Sequence, residues 1–162
     1  MEIPSHFGIV IIVAVLILLS TQWTSIQVGM ARKKYGLRYP EMYAIKGATY
    51  RGVGVQCGTT ETDLSELMLT NDEVTTFNCF QRAHQNTLEA LPLVLTLLVL
   101  AGLWAPMLSS VSGLVWIVGR AAYVSGYQSG DPRLRHSNMA KLQHAGVIIL
   151  LVTTMCHAFK TL

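Results

Sequence analysis

Four long apolar runs dominate the chain: about Phe7 to Met30, Thr76 to Gly102, Ser110 to Tyr127 and Leu142 to Phe159. Each is close to the roughly 20 residues a helix needs to cross about 30 Å of hydrocarbon. Gly36 and Pro40 end the first pattern, and Gly102 to Ser112, with Trp104 and Pro106 but no charge, reads as a short hairpin between the second and third. Thr70 followed by Glu73 has capping-box spacing, so the second helix is expected to start before the bilayer. The pattern predicts helices over about 7–30, 71–102, 110–127 and 142–159. The expected fold is an all-α membrane protein, a single-domain, up-and-down bundle of four transmembrane helices.

Between the first two helices, about residues 47–70 shift to Gly, Thr and acidic residues and read as an inserted, solvated loop. Leu64, Leu67 and Met68 at i, i+3 and i+4 suggest a short amphipathic turn on the membrane surface. Gly52 and Gly54 form a lone G-x-G without a following GK[ST], so a phosphate cradle is not expected. Composition excludes an ordinary soluble domain: hydrophobic residues make up 51% and charged residues 13%, against about 25% charged in soluble chains. No Lys, Arg, Asp or Glu lies between Glu2 and Arg32, and no basic segment or cleavage site precedes the first run, which therefore reads as a retained signal anchor.

Charge outside the helices is lopsided. Arg32, Lys33, Lys34, Arg38, Lys46 and Arg51 follow the first helix, Arg133, Arg135 and Lys141 follow the third, and only Lys160 lies at the opposite end. The positive-inside rule then puts both long loops in the cytosol and both termini on the far side. Cys57, Cys79 and Cys156 are scattered, with no C-x-x-C and no His at zinc-finger spacing, so neither a disulfide framework nor a metal site is expected, and nothing points to nucleic acid.

Polar groups inside the apolar runs carry the candidate chemistry. In FNCFQRAHQNTLEALP, Arg82, Asn86 and Glu89 stand at i, i+4 and i+7 and share one helix face. In the third run Arg120, Tyr123 and Tyr127 stand at i, i+3 and i+7. Charge at bilayer depth costs at least about 2.5 to 3.5 kcal/mol per group unless something binds it. Mutual neutralisation between helices would account for Arg82 and Glu89, and an interfacial aromatic belt for the tyrosines; neither accounts for Arg120. Arg32 ends the first helix at the depth of Arg82, and Arg133 and Arg135 overhang the same mouth. Arginines pair carboxylates bidentately and Glu89 suits an ammonium, so the fitting guest is a compact polyanion carrying an amine, with a lipophilic second guest admitted from the bilayer.

The segments ARKKYGLRYPEMYA, FNCFQRAHQNTLEALP, GLVWIVGRAAYVSGYQSGDP and the ending CHAF resemble the MAPEG superfamily, the membrane-associated eicosanoid and glutathione proteins, and most of all its type 3 microsomal glutathione S-transferases. The likeness spans nearly the whole chain outside about 47–76. It implies a homotrimer with glutathione, as co-substrate, bound between neighbouring subunits near the cytosolic face. By motif position, Arg32, Arg82, Asn86, Glu89, Arg120, Tyr123 and Tyr127 match glutathione-binding positions. The arginine that stabilises the thiolate falls before the fourth helix, as Arg135, with Arg133 the alternative. The implied activity is conjugation of glutathione to lipophilic electrophiles, reduction of lipid hydroperoxides, or both. The implied location is the endoplasmic reticulum membrane, with the mitochondrial outer membrane as alternative. Ala90 replaces a glutathione-contacting tyrosine of leukotriene C4 synthase and Lys33 replaces the second of its paired arginines, which weighs against leukotriene synthesis more than against glutathione binding. A non-catalytic lipid-binding scaffold of the same fold is the competing reading. A channel or transporter fits less, because inverted repeats and midplane breaks are not seen.

Overall fold

The computed structural model describes residues 3–51 and 66–161. Four helices, α1 (Phe7–Tyr35), α2 (Asn71–Gly102), α3 (Pro106–Gln128) and α4 (Leu142–Thr161), are each long and apolar enough to cross a membrane. The α2–α3 pair is flanked by α1 on one side and α4 on the other. This is a multi-pass helical membrane protein.

Helix ends follow local chemistry. α1 runs a turn beyond its apolar run, to Tyr35, because its last turn places Arg32, Lys33 and Lys34 against the negative end of the helix dipole. Gly36, at φ 68, then closes it by donating its N–H to the Arg32 carbonyl. α2 begins where Thr70 and Glu73 exchange hydrogen bonds: the Thr70 N–H donates to Glu73 Oε2 at 2.9 Å, and the Glu73 N–H to Thr70 Oγ1 at 3.3 Å. α3 starts at Pro106 rather than Ser110, since a proline lacking an N–H suits the first turn of a helix, and the expected hairpin shrinks accordingly.

The loop region corrects one expectation. Glu66–Met68 is a strand, β2, paired antiparallel with β1 (Thr49–Arg51) in the register Thr49 to Met68, Tyr50 to Leu67 and Arg51 to Glu66, so Leu67 and Met68 do not form an amphipathic turn. Tyr50 holds the pair down: it is buried, and its hydroxyl oxygen accepts the Ile45 N–H at 2.6 Å. Leu64, Gly52, Gly54 and Cys57 lie outside the described residues.

Away from the basic end, Val10, Ile17, Leu98, Trp116 and Leu150 interlock the four helices in one apolar core. Lipid offers helices no hydrophobic reason to associate, so close backbone approach through small residues matters more here. A Cβ on Gly119 would sit 2.2 Å from the Gln143 nitrogen, and one on Gly146 2.7 Å from the Ser112 carbonyl oxygen. These two glycines let α4 lie against α3, and the first brings Gln143 beside Arg120.

Candidate functional site

Arg120 is the structural centre of the polar region. It is buried at 5% exposure, and among the described residues every acceptor it meets is neutral. Nε and Nη2 donate to Thr87 Oγ1 at 3.0 and 2.9 Å, Nη2 also donates to Asn86 Oδ1 at 2.9 Å, and Nη1 donates to Gln143 Oε1 at 2.9 Å. The Thr87 hydroxyl hydrogen goes to the Ala83 carbonyl at 2.8 Å, so its oxygen serves only as acceptor. The Tyr123 ring lies over the guanidinium, 4.5 Å from its carbon. Thr87 and Gln143 were not legible as site residues; the available signal was an amide one residue inside an apolar run, facing a glycine.

Arg120, Asn86, Glu89, Tyr123 and Gln143 line a cavity of about 560 Å³ between α2, α3 and α4, with His136 and His144 also on its wall and Leu93, Val147 and Ile148 supplying apolar surface. Asn86 Nδ2 donates to Glu89 Oε2 at 3.4 Å, linking the carboxylate loosely to the arginine's cage.

A second cavity, of about 490 Å³, is lined by Arg82, Tyr127, Tyr43, Lys46, Asn78 and Cys79. Two contacts link the cavities: Arg82 Nη1 stands 3.8 Å from Glu89 Oε1, and the Tyr123 and Tyr127 rings meet edge to face at 5.8 Å. Together they form one polar trough from the basic end into the bundle. One wall is the segment after α1: the Asn78 side chain accepts the Ala44 N–H at 2.8 Å and donates to the Ala44 carbonyl at 3.0 Å, while the Tyr43 hydroxyl donates to Gln85 Oε1.

Of the two loop arginines, Arg135 reaches the trough's edge, its guanidinium carbon 5.0 Å from the Tyr127 ring centroid. The 3-10 turn Pro132–His136 crosses α3 closely because Gly126 has no side chain; a Cβ there would stand 2.4 Å from the Leu134 carbonyl oxygen. Arg133 has its backbone N–H tied to Asp131 Oδ1 at 2.9 Å, and neither it nor Arg135 lines either cavity, so the ring contact with Tyr127 is what sets Arg135 nearer the trough.

Arg32 stands apart from the trough. It is buried at 6% exposure, donates through Nη2 to the Glu41 carbonyl and lies 4.0 Å from the Tyr39 ring centroid, leaving Nη1 without a partner among the described residues. His84, at the mouth of the same motif, packs towards α1, with Nδ1 2.8 Å from Thr24 Oγ1. The Thr24 hydroxyl also stands 2.7 Å from the Thr21 carbonyl, so it ties His84 to the backbone of α1.

The polar region is thus a buried, cage-held guanidinium beside an open trough, set among four helices long and apolar enough to cross a membrane. The model of the MAPEG family matches residues 10–156, reaching into all four helices. Its members include glutathione transferases and peroxidases, and membership suggests a glutathione-related or eicosanoid-related function for this chain. The chain belongs to the MAPEG family.

Proposed function

We propose that this protein is a membrane-bound glutathione S-transferase of the type 3 microsomal kind, which conjugates glutathione to lipophilic electrophiles or uses it to reduce lipid hydroperoxides. In this reading it is a homotrimer of the endoplasmic reticulum membrane, with the trough on the cytosolic side and both termini opposite. The carrying observation is Arg120, a buried cation whose hydrogen-bond partners are all neutral. A charge so placed favours an anionic occupant, and glutathione brings two carboxylates, with an ammonium for Glu89. Arg82, Asn86, Tyr123 and Tyr127 line the rest of the path. Arg32, buried under the segment after α1, stays in this reading only as a position matched by motif, since it lies apart from the trough.

The reacting group is the glutathione sulfur, so the protein supplies position and charge. A thiol of pKa about 8.5 is only a few per cent ionised at neutral pH, and each unit of lowering needs about 1.36 kcal/mol of preference for the anion. One arginine near a partly desolvated sulfur supplies about two units, the role assigned to Arg135. The thiolate forms a carbon–sulfur bond with an electrophile: at an aryl halide the carbon–halogen bond breaks and halide leaves, and at an activated double bond the π electron pair moves to the neighbouring carbon, which takes a proton from water. With a hydroperoxide the thiolate attacks the terminal oxygen, the O–O bond breaks, and a second glutathione completes the disulfide as alcohol and water leave.

The test is turnover in detergent with glutathione and either an aryl halide or a lipid hydroperoxide, beside thermal unfolding with and without glutathione. Turnover of one acceptor and a rise in unfolding temperature are expected. A thermal rise without turnover would favour the scaffold reading, and neither effect would overturn glutathione binding.

A further inference from the structure

A third cavity lies on the other side of Arg120, between α1 and α3, with a volume of about 420 Å³. Its α1 wall is Ser20, Trp23, Thr24 and Gln27, and its α3 wall includes Ile117, Val124, Ser125 and Gln128. The two helices run in the same direction, so the groove descends from the end of α3 at Gln128 to Ile117, about 16 Å at 1.5 Å per residue. It therefore has the depth of a lipid's polar end and the first part of its chain.

The hydrogen-bonding groups in it are incompletely used. Ser20 donates its hydroxyl hydrogen to the Ile17 carbonyl at 2.7 Å, which leaves its oxygen lone pairs free, whereas Thr24 is already paired with the Thr21 carbonyl at 2.7 Å and with His84 Nδ1 at 2.8 Å. At the top, Gln128 Nε2 donates to Gln27 Oε1 at 2.9 Å. Whichever amide is donor, the pair keeps one NH2 group and one carbonyl with capacity to spare. Ser125 adds an exposed hydroxyl. In hydrocarbon such groups are unfavourable unless paired. Yet Ser20, Thr24 and Gln27 fall at i, i+4 and i+7, one stripe on a helix whose other outward positions include Ile11, Leu16, Leu19 and Ile26.

Among the described residues the sole charged side chain on the groove is Arg120, whose N–H groups are directed to Asn86, Thr87 and Gln143. No carboxylate or lysine among the described residues lines it. Trp23, at 56% exposure, gives the rim an amphipathic ring of the kind that sits at headgroup level.

We infer that the α1–α3 groove is a binding site for a neutral amphiphile from the bilayer, one whose polar end carries hydroxyl or carbonyl groups. Hydroxyls of the ligand donate to the freed lone pairs and its carbonyl accepts from the glutamine pair, while its chain lies along Ile117 and Val124. The groove shares Arg120 with the trough, but its polar end, Gln27, Gln128 and Ser125, lines neither of the trough's cavities.

The experiment uses the full chain in lipid nanodiscs and a monoacylglycerol bearing a diazirine on the acyl chain close to the glycerol. After photolysis, mass spectrometry is expected to find label concentrated on residues 20–27 and 117–128, displaced by unlabelled monooleoylglycerol but not by a plain alkane. Ser125→Leu fills the groove and is expected to cut this labelling about tenfold, the loss of one or two hydrogen bonds and their space, while leaving the thermal shift with glutathione intact. Gln27→Leu with Gln128→Leu removes the polar end by another route and is expected to act alike. Label spread evenly over the outward faces of all four helices, or displaced equally by the alkane, overturns the proposal, as does a groove that takes up only water and no label. The labelling map of the unmodified protein decides the matter even if a variant fails to fold.

Discussion

Arg120 and Arg82 are the same residue type on neighbouring helices, and they are built differently. Arg120 is buried in a cage of three side chains drawn from two other helices. Arg82 is half exposed and has one carboxylate 3.8 Å away, with side-chain exposures of 48% and 51% for the pair. The first guanidinium is fixed before any ligand arrives. The second is held loosely at the mouth, where exposed ion pairs contribute about 0 to 1 kcal/mol. Burial separates the two, and under the proposed function it separates two roles, one organising the trough and the other meeting what enters it.

Removing the organiser is expected to have the largest effect. Arg120→Leu leaves Asn86, Thr87 and Gln143 with unanswered acceptors, each worth about 1 kcal/mol between membrane helices. The unfolding temperature is expected to fall and stabilisation by glutathione to vanish. Arg120→Lys restores the charge but cannot span three acceptors with one compact ammonium, so it should recover stability in part and binding little. If Arg82→Ala lowers the unfolding temperature as much, the contrast between the two arginines is wrong.

Next in size is the thiolate. Arg135→Ala is expected to raise the pKa of bound glutathione by about two units, from about 6.5 back to about 8.5, so its ionised fraction at neutral pH falls about 25-fold, from roughly three-quarters to a few per cent. The sign is fixed: a cation favours the anion, and its loss moves the rising limb of the pH–rate profile to higher pH. Loss of the ultraviolet thiolate absorbance, with affinity nearly unchanged, is the expected readout. Arg133→Ala should leave that absorbance in place; the reverse result would exchange the roles of the two arginines.

The helices were legible because their signals are local. Hydropathy over some 20 residues marks a span, and Thr70 with Glu73 marks the start of α2 within one turn. The β1–β2 pair was not, since three-residue strands at the two ends of a long insertion leave no periodic trace. The stripes of Arg82, Asn86 and Glu89 and of Arg120, Tyr123 and Tyr127 were visible at helical spacing, but Thr87 and Gln143 were not. Gln143 meets Arg120 because Gly119 lets two backbones touch, a relation between helices that no single-helix pattern carries. Arg32 shows the same gap: its depth could be read, but the segment 36–45 that folds over it could not.

Gln143 makes that point testable and gives the third effect. Gln143→Leu preserves volume and removes the acceptor for Arg120 Nη1. A guanidinium freed on one side can swing, and misplacing a single charge-assisted contact costs roughly 1.4 kcal/mol, a tenfold weaker glutathione affinity. Gln143→Glu should overshoot in the other direction: the new carboxylate satisfies Arg120 and competes with the ligand, so stability rises while binding falls. An unchanged affinity in both variants would detach Gln143 from the site.

The smallest effects belong to the mouth. Arg82→Ala and Glu89→Ala should each change stability by no more than about 1 kcal/mol, because water already shares in the pair. Each should nonetheless weaken glutathione several-fold, because the ligand competes with that water and replaces the pair by two of its own contacts. Salt separates this from the deep site. Charges at the mouth lie within reach of counterions that screen over about 8 Å at physiological ionic strength, whereas the cage around Arg120 excludes them. Affinity measured against salt should therefore slope in the unmodified protein and flatten in Arg82→Ala, and an equal slope in both would place the entering anion somewhere other than beside Arg82.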